Sequence, residues 1–152
     1  MQLALRVILP VAAVIFLFDR LTKWWIVVQM DLQTVGIIDV MPPFLRFVMA
    51  WNTGINFGLF GDADARWALV GLSIVISVAL GWWAARRGNL AIAIGAGLVI
   101  GGAIGNAWDR ASDWGAVADF LNMSCCGIDN PFSFNVADIA IFAGAIWIAF
   151  KA

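Results

Sequence analysis

At 152 residues, 63% of them hydrophobic and 12% charged, with a mean hydropathy of +0.93, the chain is too apolar for a soluble domain and points to lipid as its solvent. A net charge of −1 gives no basic face for nucleic acid. With no His, and with its two Cys adjacent at Cys125 and Cys126, the chain offers no Ser-His or Cys-His pair and no zinc-site spacing, so neither a metal nor a cofactor is expected.

Four stretches are long and apolar enough to cross a hydrocarbon core of ~30 Å, at about residues 3–30, 67–85, 90–108 and 134–150. The first is interrupted by Asp19, Arg20 and Lys23, and no small-x-small cleavage site follows it, so it reads as an uncleaved span. Backbone groups in lipid must pair within their own segment, which makes all four stretches helices. The expected fold is therefore an all-α membrane protein of four transmembrane helices forming one domain. Arg6, Arg86-Arg87 and Lys151 fall on one side of such a bundle, and Arg46, Arg66 and Arg110 on the other. The first set lies in short flanks and a tight loop, which places both termini in the cytoplasm. The third span carries Gly97, Gly101 and Gly105 on one face, a pattern that lets two helix backbones approach closely.

Two segments then lie outside. In the first, the run from Phe44 to Trp51, followed by Asn52-Thr53-Gly54, predicts a small β-hairpin or sheet at the membrane surface. The second, residues 110–133, is broken by Gly115, Gly127 and Pro131. Cys125-Cys126 within it reads as an unpaired or locally bridged loop pair, not as catalytic thiols.

Ionisable groups at membrane depth each need a reason. Asp19 and Lys23, four apart, can pair on one helix face, and the plain reading is an ion pair that fixes packing. Arg20 can snorkel outward. Asp138 lies one turn inside the fourth helix, three residues after Asn135, with no cation within a turn. It either favours the helix dipole or takes part in chemistry. Asp119 sits in the apolar stretch Ala116 to Leu121, which the sequence suggests re-enters the membrane surface. Two Asp in one apolar site cannot both ionise cheaply; one keeps its proton, giving an acid and a base that can activate water against an amide. Asn52, Asn106, Asn135 and Arg110 lie near the same membrane face and can position a peptide or an oxyanion. Asn52 can equally serve only its turn, and Arg110 can simply pair with Asp109 or Asp113.

These motifs resemble those of the bacterial lipoprotein signal peptidases, or signal peptidase II. The resemblance rests on five blocks in family order: Asp19 to Lys23, Asn52 to Gly58, Gly101 to Arg110, Val117 to Phe120, and Phe134 to Asp138. It implies four helices with a small extracytoplasmic β-cradle in the bacterial inner membrane, without cofactor and monomeric. It implies cleavage of diacylglyceryl-modified prolipoproteins before the lipidated Cys. The catalytic pair would be Asp119 and Asp138, supported by Asp19, Lys23, Asn52, Gly54, Asn106, Arg110 and Asn135. Arg20 stands where the family usually has Gln, Asn56 where it usually has Ala, and residues 123–127 look inserted. The competing class is a small ion or proton transporter built on Asp19 and Lys23. It does not explain why the polar residues gather at one face instead of crossing the bundle.

Overall fold

The computed structural model describes residues 2–54 and 62–152. Asn56, one of the departures from the family pattern, lies outside them. The described residues are mostly helical, with a small three-stranded sheet. Helix α1 runs Gln2–Lys23 and continues as a π-helical segment, Trp24–Gln29. A short α2, Leu32–Val35, leads into strands β1, Ile37–Met41, and β2, Leu45–Asn52. Then come α3, Asp62–Arg87, and α4, Leu90–Ala111. Strand β3, Val117–Met123, and α5, Val136–Lys151, complete the order. The four long helices thus fall where the apolar runs predict them.

Two helices, Ala65–Arg87 and Leu90–Ala111, are long and apolar enough to cross a membrane, with mean hydropathies of 2.0 and 1.8. The other two differ in kind. Helix α1 carries Asp19, Arg20 and Lys23 in its last turns, and α5 has 16 residues, about 24 Å of helix.

Helix α4 is the hub and packs against α1, α3 and α5. Its glycines are the reason that α1 and α5 come so close. A Cβ on Gly97 would fall 2.7 Å from the Val11 Cβ, and one on Gly101 would fall 2.6 Å from the Ala12 carbonyl oxygen. On another face, a Cβ on Gly95 would fall 3.1 Å from the Gly144 carbonyl of α5. Only a side chain of one hydrogen lets these backbones meet. At one end of the bundle the seal is apolar, made by Ala4, Ile8, Ala84, Ala85, Ile92, Ala93 and Ala96. Outside that seal, the Arg86, Arg87 and Lys151 cations lie over the rings of Trp82, Trp83 and Trp147.

The sheet sits at the other end, in the order β1-β2-β3, antiparallel throughout. A hairpin turn lies between Met41 and Leu45, at Pro42-Pro43. Asn52-Thr53-Gly54 ends β2, with the Asn52 Oδ1 accepting from the Gly54 N–H at 3.0 Å and Gly54 at φ +96°; residues 55–58, the far side of the turn expected there, lie outside the described residues. The stretch around Asp119 is a strand of this sheet and not a re-entrant segment. Alternate residues of a paired strand face opposite ways, so Phe120 joins the apolar cluster with Val27, Leu32 and Ala118 while Asp119 can face the helices.

Candidate active site

The end of α1, the end of α4, the start of α5 and strand β3 converge at the sheet end of the bundle. Asn135 is the N-cap of α5 and makes a capping box with Asp138: its Oδ1 accepts from the Asp138 N–H at 2.9 Å, and the Asp138 Oδ2 accepts from the Asn135 N–H at 3.2 Å. The cap therefore fixes the Asp138 carboxyl. Its Oδ1 accepts from the Asn106 amide of α4 at 2.9 Å. The Asn135 amide donates to the Asp119 Oδ1 at 2.7 Å and to the Asn106 Oδ1 at 3.1 Å. Two side-chain amides thus link the two carboxyls, Asp119–Asn135–Asn106–Asp138.

Asp119 is almost fully buried, whereas Asp138 is half-buried. Burial pushes the Asp119 carboxyl up to about 6, with the nearby Asp138 charge adding to the rise. The Asn52 amide on the adjacent strand, the Lys23 charge and the Asn135 amide pull the other way. Beside Asp138 an apolar groove of about 550 Å³ runs along α5, lined by Phe134, Ile139, Phe142, Ala143 and Ile146.

Beneath the amides lies a buried ionic cluster. The Lys23 ammonium donates to the Asp19 Oδ2 at 3.0 Å and to the Asn106 Oδ1 at 3.4 Å. Lys23 and Arg20 each also pair with Asp109. Arg20 does not snorkel outward: it turns inward, to Asp19 at 2.7 Å as well as to Asp109. Arg110 does not take Asp109 either. Among the described residues its guanidinium makes one long bond, to the Asn106 carbonyl at 3.5 Å, and its buried Nε has no partner.

Of the nine residues singled out in the sequence, Asp119, Asp138, Asn106, Asn135, Asp19 and Lys23 form one contact network. Arg110 borders it and Asn52 flanks Asp119. Gly54 stands apart; a Cβ there would meet the Leu69 side chain of α3. Sequence reasoning missed Asp109 and Arg20. A signal existed for Asp109, which lies three residues after Asn106 and so shares its face, toward Lys23.

The fold, four long helices with a small sheet at one end, is that of a class of membrane enzymes. Two solved structures described as bacterial membrane enzymes superpose over 95% of the chain. One has a TM-score of 0.78 at 30% identity, with 90% of its length covered, and the other 0.77 at 28% identity, with 85% covered. The family described as Signal peptidase (SPase) II matches residues 11–152. The lipoprotein signal peptidase of Methylobacterium sp. (strain 4-46) is 39% identical over 90% of this chain and 82% of its own. That of Rhodopseudomonas palustris (strain ATCC BAA-98 / CGA009) is 42% identical over 86% and 82%. The chain belongs to the signal peptidase II family and is a membrane peptidase.

Proposed function

We propose that the chain is an aspartic endopeptidase that removes signal peptides from diacylglyceryl-modified prolipoproteins, with Asp119 and Asp138 as the catalytic pair. The observation that carries this reading is the linkage of the two carboxyls through Asn135 and Asn106. Asp119, raised to about 6 by burial, is the carboxyl that holds the proton. Asp138, with an N–H on each oxygen, is the base. Asp138 takes a proton from water as the water oxygen bonds to the scissile carbonyl carbon, and Asp119 gives its proton to the carbonyl oxygen. On collapse the C–N bond breaks, the leaving nitrogen takes the proton from Asp138, and Asp119 recovers one from the diol. Arg110 and Asn52 are placed to hold the peptide backbone. Asp19 and Lys23 support the pair from α1. The apolar groove opening at Asp138 suits a substrate whose acyl chains stay in lipid while its peptide reaches the dyad.

In this reading α1, α3, α4 and α5 are four spans of the inner membrane, with both termini cytoplasmic and the sheet outside. The four cations Arg6, Arg86, Arg87 and Lys151 lie at the apolar end, as the charge rule asks of a cytoplasmic face.

The test is cleavage of a lipid-modified prolipoprotein by purified protein in detergent. Wild type should cleave, indifferent to chelators. Asp119→Asn and Asp138→Asn should each lose at least about 10³-fold, and the double variant hardly more, because the two act as a unit. Cleavage by Asp138→Asn at a comparable rate sinks the dyad. Ion flux without proteolysis would turn the reading toward transport.

A further inference from the structure

The proposed reaction leaves two charges of the ionic cluster without a task, the half-buried Arg20 and the buried Asp109. They close a ring. Arg20 meets Asp19 and Asp109, and Lys23 meets the same two acids. Each cation bridges both carboxylates, and the four formal charges cancel. Ion pairing leaves one oxygen of Asp19 spare, and that Oδ1 accepts from the Ala137 N–H at 3.2 Å. The Asp109 Oδ2 likewise accepts from the Ala118 N–H at 3.3 Å. Ala137 immediately precedes Asp138, and Ala118 immediately precedes Asp119. Each acid of the ring thus grips the backbone beside one aspartate of the dyad. Gly105 makes the fit possible, since a Cβ there would fall 2.8 Å from the Asp19 Oδ2.

We propose that Arg20 and Asp109 are positioning residues which, with Asp19 and Lys23, form a neutral four-charge clamp that sets the separation of the two catalytic aspartates. The proposal rests on the assignment of Asp119 and Asp138 as that pair. The clamp couples α1 to α4 by its ion pairs, and β3 to α5 by its two backbone grips. If Arg20 is lost, Lys23 still bridges the acids, but the carboxylates are no longer held from both sides and one buried negative charge is unbalanced. Asp119 then sits among Lys23 from α1, Asp109 and Arg110 from α4, Asp138 from α5 and Asn52 from β2, with the total shifted by one unit toward negative. Asp119 binds its proton more tightly in that field.

A cluster that only held the helices together would change yield and Tm and leave the folded fraction with its normal turnover. The experiment therefore measures kcat, KM and the pH profile per folded molecule in detergent for wild type, Arg20→Gln, Arg20→Lys and Asp109→Asn. It adds a titration of the ¹³C-labelled Asp carboxyl resonances. In Arg20→Gln, kcat should fall about tenfold with KM held within about twofold, because misplacement of well under 1 Å is enough for that loss. The pH profile and the Asp119 resonance should move up by about half a unit. Arg20→Lys keeps the charge and loses the forked geometry, so it should show an intermediate kcat with the profile in place. Asp109→Asn should lose more than Arg20→Gln, having also weakened the hold on Ala118. Wild-type kcat and pH profile in folded Arg20→Gln would overturn the clamp. If that variant does not fold, wild-type kcat in Arg20→Lys would do the same. If wild type itself cleaves no lipidated substrate, the functional reading falls. The titration then decides the clamp alone: an unmoved Asp119 resonance in Arg20→Gln overturns it, and the upward shift supports it.

Discussion

The two ends of the helix bundle are held by opposite means. At the Ala4 end the helices meet through methyl groups and bare glycine backbones, contacts that are close but directionless. At the Asp138 end they meet through ion pairs and amide hydrogen bonds, each with a required direction and a penalty when unmade. The same helix, α4, serves both, with Gly97 and Gly101 midway and Asn106 and Asp109 in its last turns. The difference teaches that the apolar end sets how near the helices lie, while the polar end sets where individual atoms point. Stability and catalysis should then respond to different substitutions.

Gly101→Val is the largest blow to that division. Its side chain would enter the Ala12 backbone and the Ile15 side chain, which must give way. The overpacking should cost about 3 kcal/mol, and stability and cleavage should fall together in thermal melts and assays of the same preparation. A stable but inactive Gly101→Val would blur the contrast between the two ends.

Asn106→Ala should do the reverse. It removes the donor to Asp138 and the acceptor for Asn135, yet Lys23 keeps its two carboxylates and the Asn135 amide keeps Asp119. The expected loss in kcat is roughly 10²-fold, with a smaller fall in Tm than Gly101→Val gives. A fall in Tm as large as that of Gly101→Val, with kcat preserved, would show that the polar end is structural.

The smallest effect is a gain. The Asp119 carboxyl is raised above its ordinary 3.8 to about 6, so its contribution to stability is fully present below 3.8 and is lost as pH rises through about 6. Asp119→Asn carries no such loss. Its Tm should exceed that of wild type at pH 7.5 by about 2–4 °C and approach it at pH 4. A Tm difference that does not change with pH would mean that Asp119 is not buried against its charge.

Much of this was legible in sequence because it is local. Apolar length located the four helices, glycine spacing the close face of α4, and the three-residue step from Asn135 to Asp138 a shared face that proves to be a capping box. The four-residue step from Asp19 to Lys23 gave their contact in the same way. What was not legible depends on contacts between distant parts of the chain. Arg20 could be read as turning outward because Asp109 lies 89 positions away. Asp109 was hidden by its neighbour Arg110, which offers an apparent partner in sequence and none in space. Strand β1 was missed because its residues are mostly exposed on both faces and so lack a clean alternation. The apolar run at Asp119 reads equally as strand or as membrane segment, since length cannot separate the two in so short a stretch.

Beyond β3 the chain returns to the sheet before it enters α5. The N–H groups of Phe120 and Leu121 donate to the Phe134 carbonyl, and the Phe134 N–H donates to the Leu121 carbonyl, each bond within 3.0 Å. The chain is stitched to itself one residue past Asp119 and again one residue before Asn135. Between the two points β3 stays paired to β2 as far as Met123, and the bonded Cys125-Cys126 pair with its turn back at Ile128 lies beyond that pairing. The excursion is thereby insulated from the chemistry. Changes of length or composition at its tip, from Cys125 to Ile128, whether between descendants of one ancestor or through an engineer's epitope tag, should leave the register of the two aspartates to that stitch.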